Sequence, residues 1–364
     1  MAGGPQPHPG VDPLERADLR CRLDKVLSGF LAEQAAALDG VAEELRPMVG
    51  ALEGFVLDGG KRLRPAFCYW GWRGAGGADG DAIVAAAAGL ELLHACALIH
   101  DDVMDGSDTR RGRPAVHRGF AALHRGNGWS GDPEAFGNSA AILLGDLCLI
   151  WADAMVNTAG LPHETVLRAT PVYDEMRVEL MAGQFLDLLE QVHGGGSIER
   201  ALRVARYKSA KYTIERPLHL GGTLAGAAAE TLAAYSAYGL PLGEAFQLRD
   251  DVLGVYGDPA ATGKPAGDDL REGKRTALVA AAMEAATPAQ AAVVRRHLGD
   301  PHLNDVGVAE VREVISETGA LHRVEALIAE RTTLALAGLE RAHIDAEARS
   351  TLAELAVAAT DRRG

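Results

Sequence analysis

Apolar residues recur at three- and four-residue spacing along almost the whole chain from Leu14 onward. This period is typical of amphipathic α-helices, whereas the alternating Val, Ile and Thr runs of β-strands are scarce. Short glycine-containing breaks separate the helical segments, at 58–60, 74–80, 125–137, 194–196, 221–222 and 257–269. The pattern therefore predicts an all-α protein of about a dozen helices.

The same pattern indicates how the 364 residues are organised. Residues 1–13 are rich in Gly and Pro, which predicts a flexible N-terminal tail. No linker divides the remainder, so we expect one domain over residues 14–364. The segment 125–137, RGNGWSGDPEAFG, predicts an inserted surface loop within that domain.

Composition narrows the possible classes of protein. Hydrophobic residues make up 48% of the chain, enough for a large core. A formal charge of −14 and only 5% aromatic residues argue against a nucleic-acid partner. The two most apolar stretches, 82–99 and 139–152, are interrupted by Glu91, His94 and Asp146, so we predict no membrane span. The N-terminus has no apolar signal-peptide core, and we expect a cytoplasmic protein.

The first chemically suggestive segment is His100-Asp101-Asp102-Val103-Met104-Asp105, at the end of a long apolar helix. Asp101 and Asp105 are four residues apart and therefore share one helical face. Mg²⁺ takes carboxylate oxygens as ligands and retains positions for a phosphate. The basic run 109–114, TRRGRP, follows directly, and guanidinium groups bind phosphate oxygens in a bidentate manner. The alternative is a solvated acidic helix end whose aspartates pair with the neighbouring arginines.

A second aspartate pair follows the same plan later in the chain. Asp250 and Asp251 lie at the polar edge of an apolar helix, and basic residues follow between 262 and 275. Two such helices facing each other would hold metal ions over one diphosphate. Each half alone is a weak signal, and the repetition makes it stronger.

A third cluster is basic and lies apart from both aspartate pairs in the sequence. Lys61 and Arg64 in GGKRLRP share one helical face, and the preceding glycines let the backbone approach a ligand closely. His94 lies seven residues before Asp101 and so points along nearly the same helical stripe. These residues suggest a second, metal-free phosphate site. The alternatives are a basic first helical turn and a histidine buried in the core.

Four segments together carry a resemblance to a known family. HDDVMDGSDTRRGRP, FQLRDDVLGVYGD, GGKRLRP and TGKPAGDDLREGKRT, in this order and spacing, resemble the trans-isoprenyl diphosphate synthases, or polyprenyl synthetases. The subgroup they resemble is the bacterial geranylgeranyl diphosphate synthases. The resemblance implies a single-domain helical barrel of the isoprenoid synthase type with a deep central apolar pocket. It also implies a homodimer and three Mg²⁺ ions, two at the first aspartate motif and one at the second.

The resemblance further implies roles for individual residues. The metal ligands would be Asp101, Asp105 and Asp250. The catalytic set would be Asp101, Asp102, Asp105, Arg110, Lys208, Asp250, Asp251 and Lys264. Residues around the allylic diphosphate would be Arg110, Lys208, Ser209, Gln247, Lys264 and Lys274. Residues around isopentenyl diphosphate would be Lys61, Arg64, His94 and Arg111. The chain departs from the family pattern at Gly254, where many members have a third aspartate, and at Ser209, where many have threonine.

The implied activity is condensation of isopentenyl diphosphate with allylic prenyl diphosphates. Leu90, Leu93, Cys96 and Ala97 are the residues expected to set product length, on the helix before Asp101. In the family, aromatic residues four or five positions before the first aspartate close the pocket at C15. Ala97 and Cys96 are small, which predicts geranylgeranyl diphosphate (C20) as the main product.

Three alternatives remain open. One is a synthase of longer or shorter products. Another is a class I terpene cyclase, which needs no second diphosphate site, so GGKRLRP and the Arg110-Arg111 pair argue against it. The last is an inactive regulatory subunit, which usually loses the first aspartate motif that this chain keeps.

Overall fold

The structure, a computed structural model, describes residues 16–193, 197–258 and 267–360. The α-helices of its N-terminal half are α1 (Leu19–Asp39), α2 (Arg46–Leu57), α3 (Leu63–Gly74), α4 (Asp81–Asp105), α5 (Val116–Gly126), α6 (Pro133–Asn157) and α7 (His163–His193). They are followed by α8 (Ile198–Val204), a π-helix (Ala205–Glu215), α9 (Arg216–Leu224) and α10 (Ala229–Tyr256). The last helices are α11 (Asp268–Arg271), α12 (Ala277–Ala285), α13 (Pro288–His297), α14 (Asp305–Glu317), α15 (Ala320–Glu340) and α16 (Ala346–Thr360).

The all-α fold predicted from the sequence is confirmed. In the described part of the chain, β-structure is confined to β1 (Thr109–Arg110) and β2 (Arg113–Pro114), which form a small antiparallel hairpin. The hairpin begins shortly after α4 ends, because Gly106 adopts a left-handed conformation with φ of 65°. The backbone N–H of Gly106 donates to the carbonyl of Asp102, and this cap ends α4. The basic run is therefore held beside the first acidic motif.

Buried side chains form two hydrophobic clusters that share α10. The first cluster surrounds α3, α4 and α6, and its largest fully buried side chains include Trp70, Tyr69 and Phe67. The second cluster is built from the C-terminal helices around Leu278 and Val324. Because α10 contributes side chains to both, the segment that carries the second aspartate pair is fixed on two sides.

Two expectations about apolar and loop segments can be compared with the helices. α4 and α6 are both long and apolar enough to cross a membrane, but 72% of the apolar window of α4 is buried inside the protein, as in a core helix. The corresponding window of α6 is 44% buried. The loop expected over 125–137 is shorter, since α5 extends to Gly126 and α6 begins at Pro133. Asp132 ends the loop because its carboxylate accepts the Glu134 N–H and caps α6. The tail expected over 1–13 lies outside the described residues.

Candidate active site

A cavity of about 820 Å³ lies between α3, α4, α7, the π-helix and α10. Thirteen of the residues singled out in the sequence line it: Lys61, Arg64, His94, Ala97, Asp101, Arg110, Arg111, Lys208, Ser209, Gln247, Asp250, Asp251 and Lys274. Lys264 lies outside the described residues. The fold therefore brings together motifs from four separate parts of the chain.

Among the aspartates of the first motif, Asp101 lines the cavity, whereas Asp102 and Asp105 are not part of its lining. The Asp101 carboxylate accepts hydrogen bonds of 2.9 Å from Lys208 Nζ and of 2.9 Å from Gln184 Nε2. Burial alone would raise the pKa of Asp101, but Lys208, Lys274 and Arg110 outweigh it and hold that pKa well below its ordinary value. Asp101 is therefore a carboxylate whose negative charge is matched by surrounding cations.

Asp105, one turn further along α4, is buried differently. Neither of its carboxylate oxygens has a hydrogen-bond partner among the described residues, although Lys274 Nζ lies 3.0 Å from Oδ2. Burial raises the pKa of Asp105, and the nearby Asp101 raises it further against the opposing charge of Lys274. A buried carboxylate without hydrogen bonds is costly, and a divalent cation would satisfy it.

Asp102 does not line the cavity. Its side chain is fully buried and accepts from Arg110 Nε at 3.0 Å, and a second guanidinium nitrogen of Arg110 also contacts it. The sequence leaves open, as an alternative to metal binding, aspartates that pair with the neighbouring arginines. Asp102 and Arg110 form such a pair. It leaves Arg110 at the cavity wall, with its guanidinium 3.8 Å from Asp101. Asp102 consequently positions Arg110.

The second aspartate pair lies on α10, on the opposite side of the cavity. Burial, with Asp269 and Asp250 nearby, raises the pKa of Asp251 to about 7, although Gln247 Nε2 donates a 2.8 Å hydrogen bond to it. Asp269, on α11, occupies the space beside Gly254. A Cβ atom at position 254 would lie 1.9 Å from Asp269 Oδ2. A carboxylate from another helix therefore fills the space that a side chain at position 254 would enter.

Two partly buried lysines lie between the acidic segments. Lys208 Nζ is 2.9 Å from Asp101 and 2.7 Å from Asp187 on α7. Burial disfavours both ammonium groups, yet the surrounding carboxylates raise the pKa of Lys208 and of Lys274. Gly183 makes the position of Lys208 possible, because a Cβ there would lie 2.3 Å from the Lys208 backbone nitrogen.

The third, basic cluster is held by a buried ion pair that sequence reasoning missed. Arg62 adopts a left-handed conformation with φ of 47°, and its guanidinium lies 2.7 Å from Glu91 on α4. Arg62 also donates to Asp24 at 3.0 Å. These contacts fix the loop so that Lys61 and Arg64 reach the cavity. The interruption of an apolar helix by Glu91 was the sequence signal for this pair.

His94 contacts a second residue that the sequence did not single out for chemistry. Its Nδ1 atom lies 2.8 Å from the hydroxyl of Tyr212, which belongs to the π-helix. Burial and then the charges of Arg64 and Arg111 lower the pKa of His94 well below its ordinary value. The imidazole is therefore neutral at physiological pH.

The residues expected to set product length divide into two groups. Ala97 lines the cavity, and the apolar part of the wall also includes Leu98, Leu180, Val204 and Phe246. Leu90, Leu93 and Cys96 are instead fully buried in the first hydrophobic cluster and do not line the wall. The residues of α4 that line the cavity are at positions 91, 94, 97, 98 and 101. The side chains of Leu90, Leu93 and Cys96 therefore lie beside this stripe. Of the four residues expected to set product length, Ala97 is therefore the one that lines the cavity.

The donor atoms of the acidic segments suit Mg²⁺, since they are carboxylate oxygens from Asp101, Asp105 and Asp250. Within residues 16–193, 197–258 and 267–360, no three His, Cys, Asp or Glu side chains converge on one ion position. Asp101, Asp105 and Asp250 would therefore supply only part of a coordination sphere, and Mg²⁺ commonly keeps water and phosphate oxygens as its other ligands.

Comparison with known proteins identifies the family. The sequence model of the polyprenyl synthetase family matches residues 47–317. The chain therefore belongs to this family of trans-prenyltransferases, and the resemblance found in the sequence is confirmed.

Individual relatives carry different product names. A crystal structure of geranylgeranyl pyrophosphate synthase from Corynebacterium glutamicum, complexed with isoprenyl diphosphate and magnesium, is 43% identical, with a TM-score of 0.91 over 97% of this chain and 100% of that one. Geranylgeranyl diphosphate synthase of Mycobacterium tuberculosis is 35% identical over 77% of this chain and 75% of its own length. Geranylfarnesyl diphosphate synthase of Aeropyrum pernix is 34% identical over 76% of this chain and 81% of its own length.

Proposed function

We propose that this protein condenses isopentenyl diphosphate with allylic prenyl diphosphates and releases mainly geranylgeranyl diphosphate. The observation that carries the proposal is the pairing of two phosphate-binding sets in one cavity. One set combines the aspartates of α4 and α10 with Arg110, Lys208 and Lys274. The other combines Lys61, Arg64, His94 and Arg111 with no aspartate of either motif among them.

The acidic set would hold three Mg²⁺ ions, two at Asp101 and Asp105 and one at Asp250. Bound there, Mg²⁺ supplies positive charge that stabilises the departing diphosphate. Arg110, Lys208 and Lys274 add positive charge from the cavity wall, while Ser209 and Gln247 offer hydrogen bonds to the same group. Lys264 is expected to add a further charge. Asp102 holds the Arg110 guanidinium in place, and Asp251 accepts a hydrogen bond from the side-chain amide of Gln247.

The reaction proceeds by ionisation, condensation and elimination. The bond between the allylic carbon and its diphosphate oxygen breaks, and the electron pair leaves with the diphosphate. The double bond of isopentenyl diphosphate, held by the basic set, then attacks the allylic cation and forms the new carbon–carbon bond. Loss of a proton to the released diphosphate gives the trans product. The chain supplies charge and orientation, and the buried walls exclude water.

The C20 product length rests on the wall of the cavity. Ala97 is small and leaves room beside Leu98 and Leu180 where an aromatic ring would block the growing chain. The names of the relatives support the same assignment, since geranylgeranyl diphosphate synthases are among them. The C25 name of the Aeropyrum relative makes a longer product the main competing outcome.

A homodimer fits the exposed apolar surface. Val178, Met181 and Phe185 follow one face of α7 at three- and four-residue spacing, and Phe185 is 63% exposed. Leu143 and Ile150 on α6 are exposed as well. Exposed apolar patches of this kind mark interaction sites in soluble proteins, and this one accounts for the incomplete burial of α6 without a membrane. Phe185→Asp should convert a dimer into a monomer in sedimentation analysis. A monomeric wild type would contradict this assignment.

We place the protein in the cytoplasm.

The test is an incubation of the purified protein with Mg²⁺, isopentenyl diphosphate and geranyl or farnesyl diphosphate. Longer prenyl diphosphates should form only when both substrates are present. Geranylgeranyl diphosphate supplied alone should remain unchanged. Hydrocarbon formation from geranylgeranyl diphosphate alone would instead identify a terpene cyclase, and no turnover in either assay would favour a regulatory subunit.

A further inference from the structure

Tyr212 contacts two residues of the basic set at once. Its hydroxyl lies 2.8 Å from His94 Nδ1. The guanidinium carbon of Arg64 lies 4.1 Å from the centre of the Tyr212 ring, which is a cation–π distance. Arg64 also donates a 2.8 Å hydrogen bond to the neighbouring Thr213 hydroxyl. One short segment of the π-helix thus supports both side chains.

Two neutral partners can share this hydrogen bond in either direction, and one of the two arrangements suits a diphosphate. Burial raises the pKa of Tyr212, so its hydroxyl keeps its proton. His94 is neutral, and a neutral imidazole carries its proton on one nitrogen while the other accepts. When the Tyr212 hydroxyl donates to Nδ1, the proton of the ring resides on Nε2. Nε2 is then a hydrogen-bond donor, which is what a diphosphate oxygen requires.

We propose that Tyr212 is a positioning residue for the diphosphate of isopentenyl diphosphate. Its hydroxyl holds His94 in the tautomer that donates from Nε2, and its ring supports the Arg64 guanidinium. The inference rests on the proposed function and adds a residue that acts through the substrate-binding side chains without touching the reacting atoms.

The π-helix makes this residue part of a larger arrangement. Lys208, assigned to the allylic diphosphate, lies four positions before Tyr212 on the same π-helix, and both line the cavity. The ion pair of Lys211 with Glu179, at 2.5 Å, fastens the π-helix to α7, and Arg216 at the start of α9 contacts the same glutamate at 2.7 Å. Wide helical turns of this kind are frequent at functional sites. A single rigid segment therefore sets the relative position of the two diphosphate sites.

Tyr212→Phe tests the hydroxyl, because it keeps the ring under Arg64. We expect the KM for isopentenyl diphosphate to rise about tenfold, the effect of one lost hydrogen bond. The kcat and the KM for farnesyl diphosphate should stay within about twofold of wild type. Tyr238→Phe is the matched control, since Tyr238 is fully buried and donates to the Leu352 carbonyl away from the cavity. It should leave both KM values unchanged.

A double variant and a spectrum separate positioning from a general structural effect. Tyr212→Phe should add little to the defect of His94→Ala if the hydroxyl acts through His94. The ¹⁵N spectrum of histidine-labelled wild-type protein, assigned with His94→Gln, should show the Nε2–H tautomer and requires no Tyr212 variant.

Three outcomes would overturn the inference: an unchanged KM for isopentenyl diphosphate in Tyr212→Phe, equal rises in both KM values, or an Nδ1–H tautomer. A wild-type protein that does not consume isopentenyl diphosphate would instead contradict the proposed function, so the two failures are distinguishable.

Discussion

The Nζ atom of Lys274 lies 3.0 Å from a carboxylate oxygen of Asp105, so a lysine that follows α11 is joined to the end of α4. Glu272 extends the link, because its carboxylate lies 2.5 Å from the same amine and accepts a 2.5 Å hydrogen bond from the Ser107 hydroxyl. The segments that follow the two aspartate motifs are therefore in direct contact. The acidic groups of one cavity come from opposite halves of the chain and are held together before any ligand binds.

The aspartates assigned to metal binding should be essential for turnover. Asp101→Asn and Asp105→Asn keep the side-chain shape but remove a charge, and each should lower kcat at least about a hundredfold. Asp250→Asn should cost more than Asp251→Asn, because Asp250 is the residue of this pair assigned as a direct metal ligand. The measurement is kcat at saturating substrate with titrated Mg²⁺, accompanied by calorimetric titration of Mg²⁺ with inorganic diphosphate.

Asp108→Asn is the control for these variants. Asp108 is close in sequence but exposed, and it pairs with Arg118 at 2.8 Å. It should retain wild-type turnover. Near-wild-type kcat in all four motif variants would contradict the assignment of metal ligands.

Gly254 should resist restoration of the aspartate found in many relatives. Asp269 Oδ2 would lie 1.9 Å from a Cβ at this position, so Gly254→Asp must displace the Asp269 carboxylate. We expect Gly254→Asp to raise the Mg²⁺ concentration needed for half-maximal activity severalfold. Gly254→Asp combined with Asp269→Gly should recover part of the loss. An increase in Mg²⁺ affinity in the single variant would show that the Asp269 carboxylate is not the obstacle.

The contrast between predictable and unpredictable residues follows from how each is placed. Asp101, Asp105 and Asp250 could be located because helical spacing and repeated aspartate–basic segments indicate carboxylates on a common cavity. Asp269 could not, since its position depends on a space left by a glycine on another helix. The contact of Tyr212 with His94 could not be predicted, because a π-helix has a wider turn than the three- to four-residue periodicity used to place residues on helical faces.

The wall of the cavity shows the same limit. The stripe through Leu90 and Leu93 was the expected path of the growing chain, yet both pack into the core. Neighbouring positions along α4 face either the core or the cavity. The periodicity of apolar residues alone does not show which of two neighbouring positions faces the cavity. Ala97 lies at the boundary and lines the wall.

Ala97→Phe should shorten the product from C20 to C15. A ring at this position fills the space beside Leu98 and Leu180 that a fourth isoprene unit needs. Chromatography of the dephosphorylated products gives the chain length directly. Ala97→Ser, which keeps the side chain small, should still yield C20. An unchanged product in a folded Ala97→Phe protein would place the length-setting wall elsewhere.

His94 should make the protein less stable in mild acid. Its pKa is lowered in the folded state, whereas the unfolded chain takes up a proton near the ordinary value of about 6.5. Stability is therefore fully present above pH 6.5 and decreases as pH falls toward the lower folded pKa, by up to about 1.4 kcal/mol per pH unit for one proton.

His94→Gln should accordingly flatten the pH dependence of the free energy of unfolding between pH 6.5 and 5, measured by urea denaturation. Lowered pKa values of His117 and His219 contribute in the same direction in both proteins and do not affect the difference. His302→Gln, at an exposed position, is the control and should keep the wild-type slope. Identical slopes for wild type and His94→Gln would show that His94 is not held neutral.

The most direct test of the central claim is the product-length assay on the wild-type protein. Isopentenyl diphosphate labelled with ¹⁴C is incubated with Mg²⁺ and, in separate reactions, with dimethylallyl, geranyl or farnesyl diphosphate. Label should enter prenyl chains that end mainly at C20 with every accepted primer. It should stay in isopentenyl diphosphate when the primer is omitted. Failure to transfer label with any primer would contradict the assignment of two diphosphate sites, and a C15 main product would contradict the open wall at Ala97.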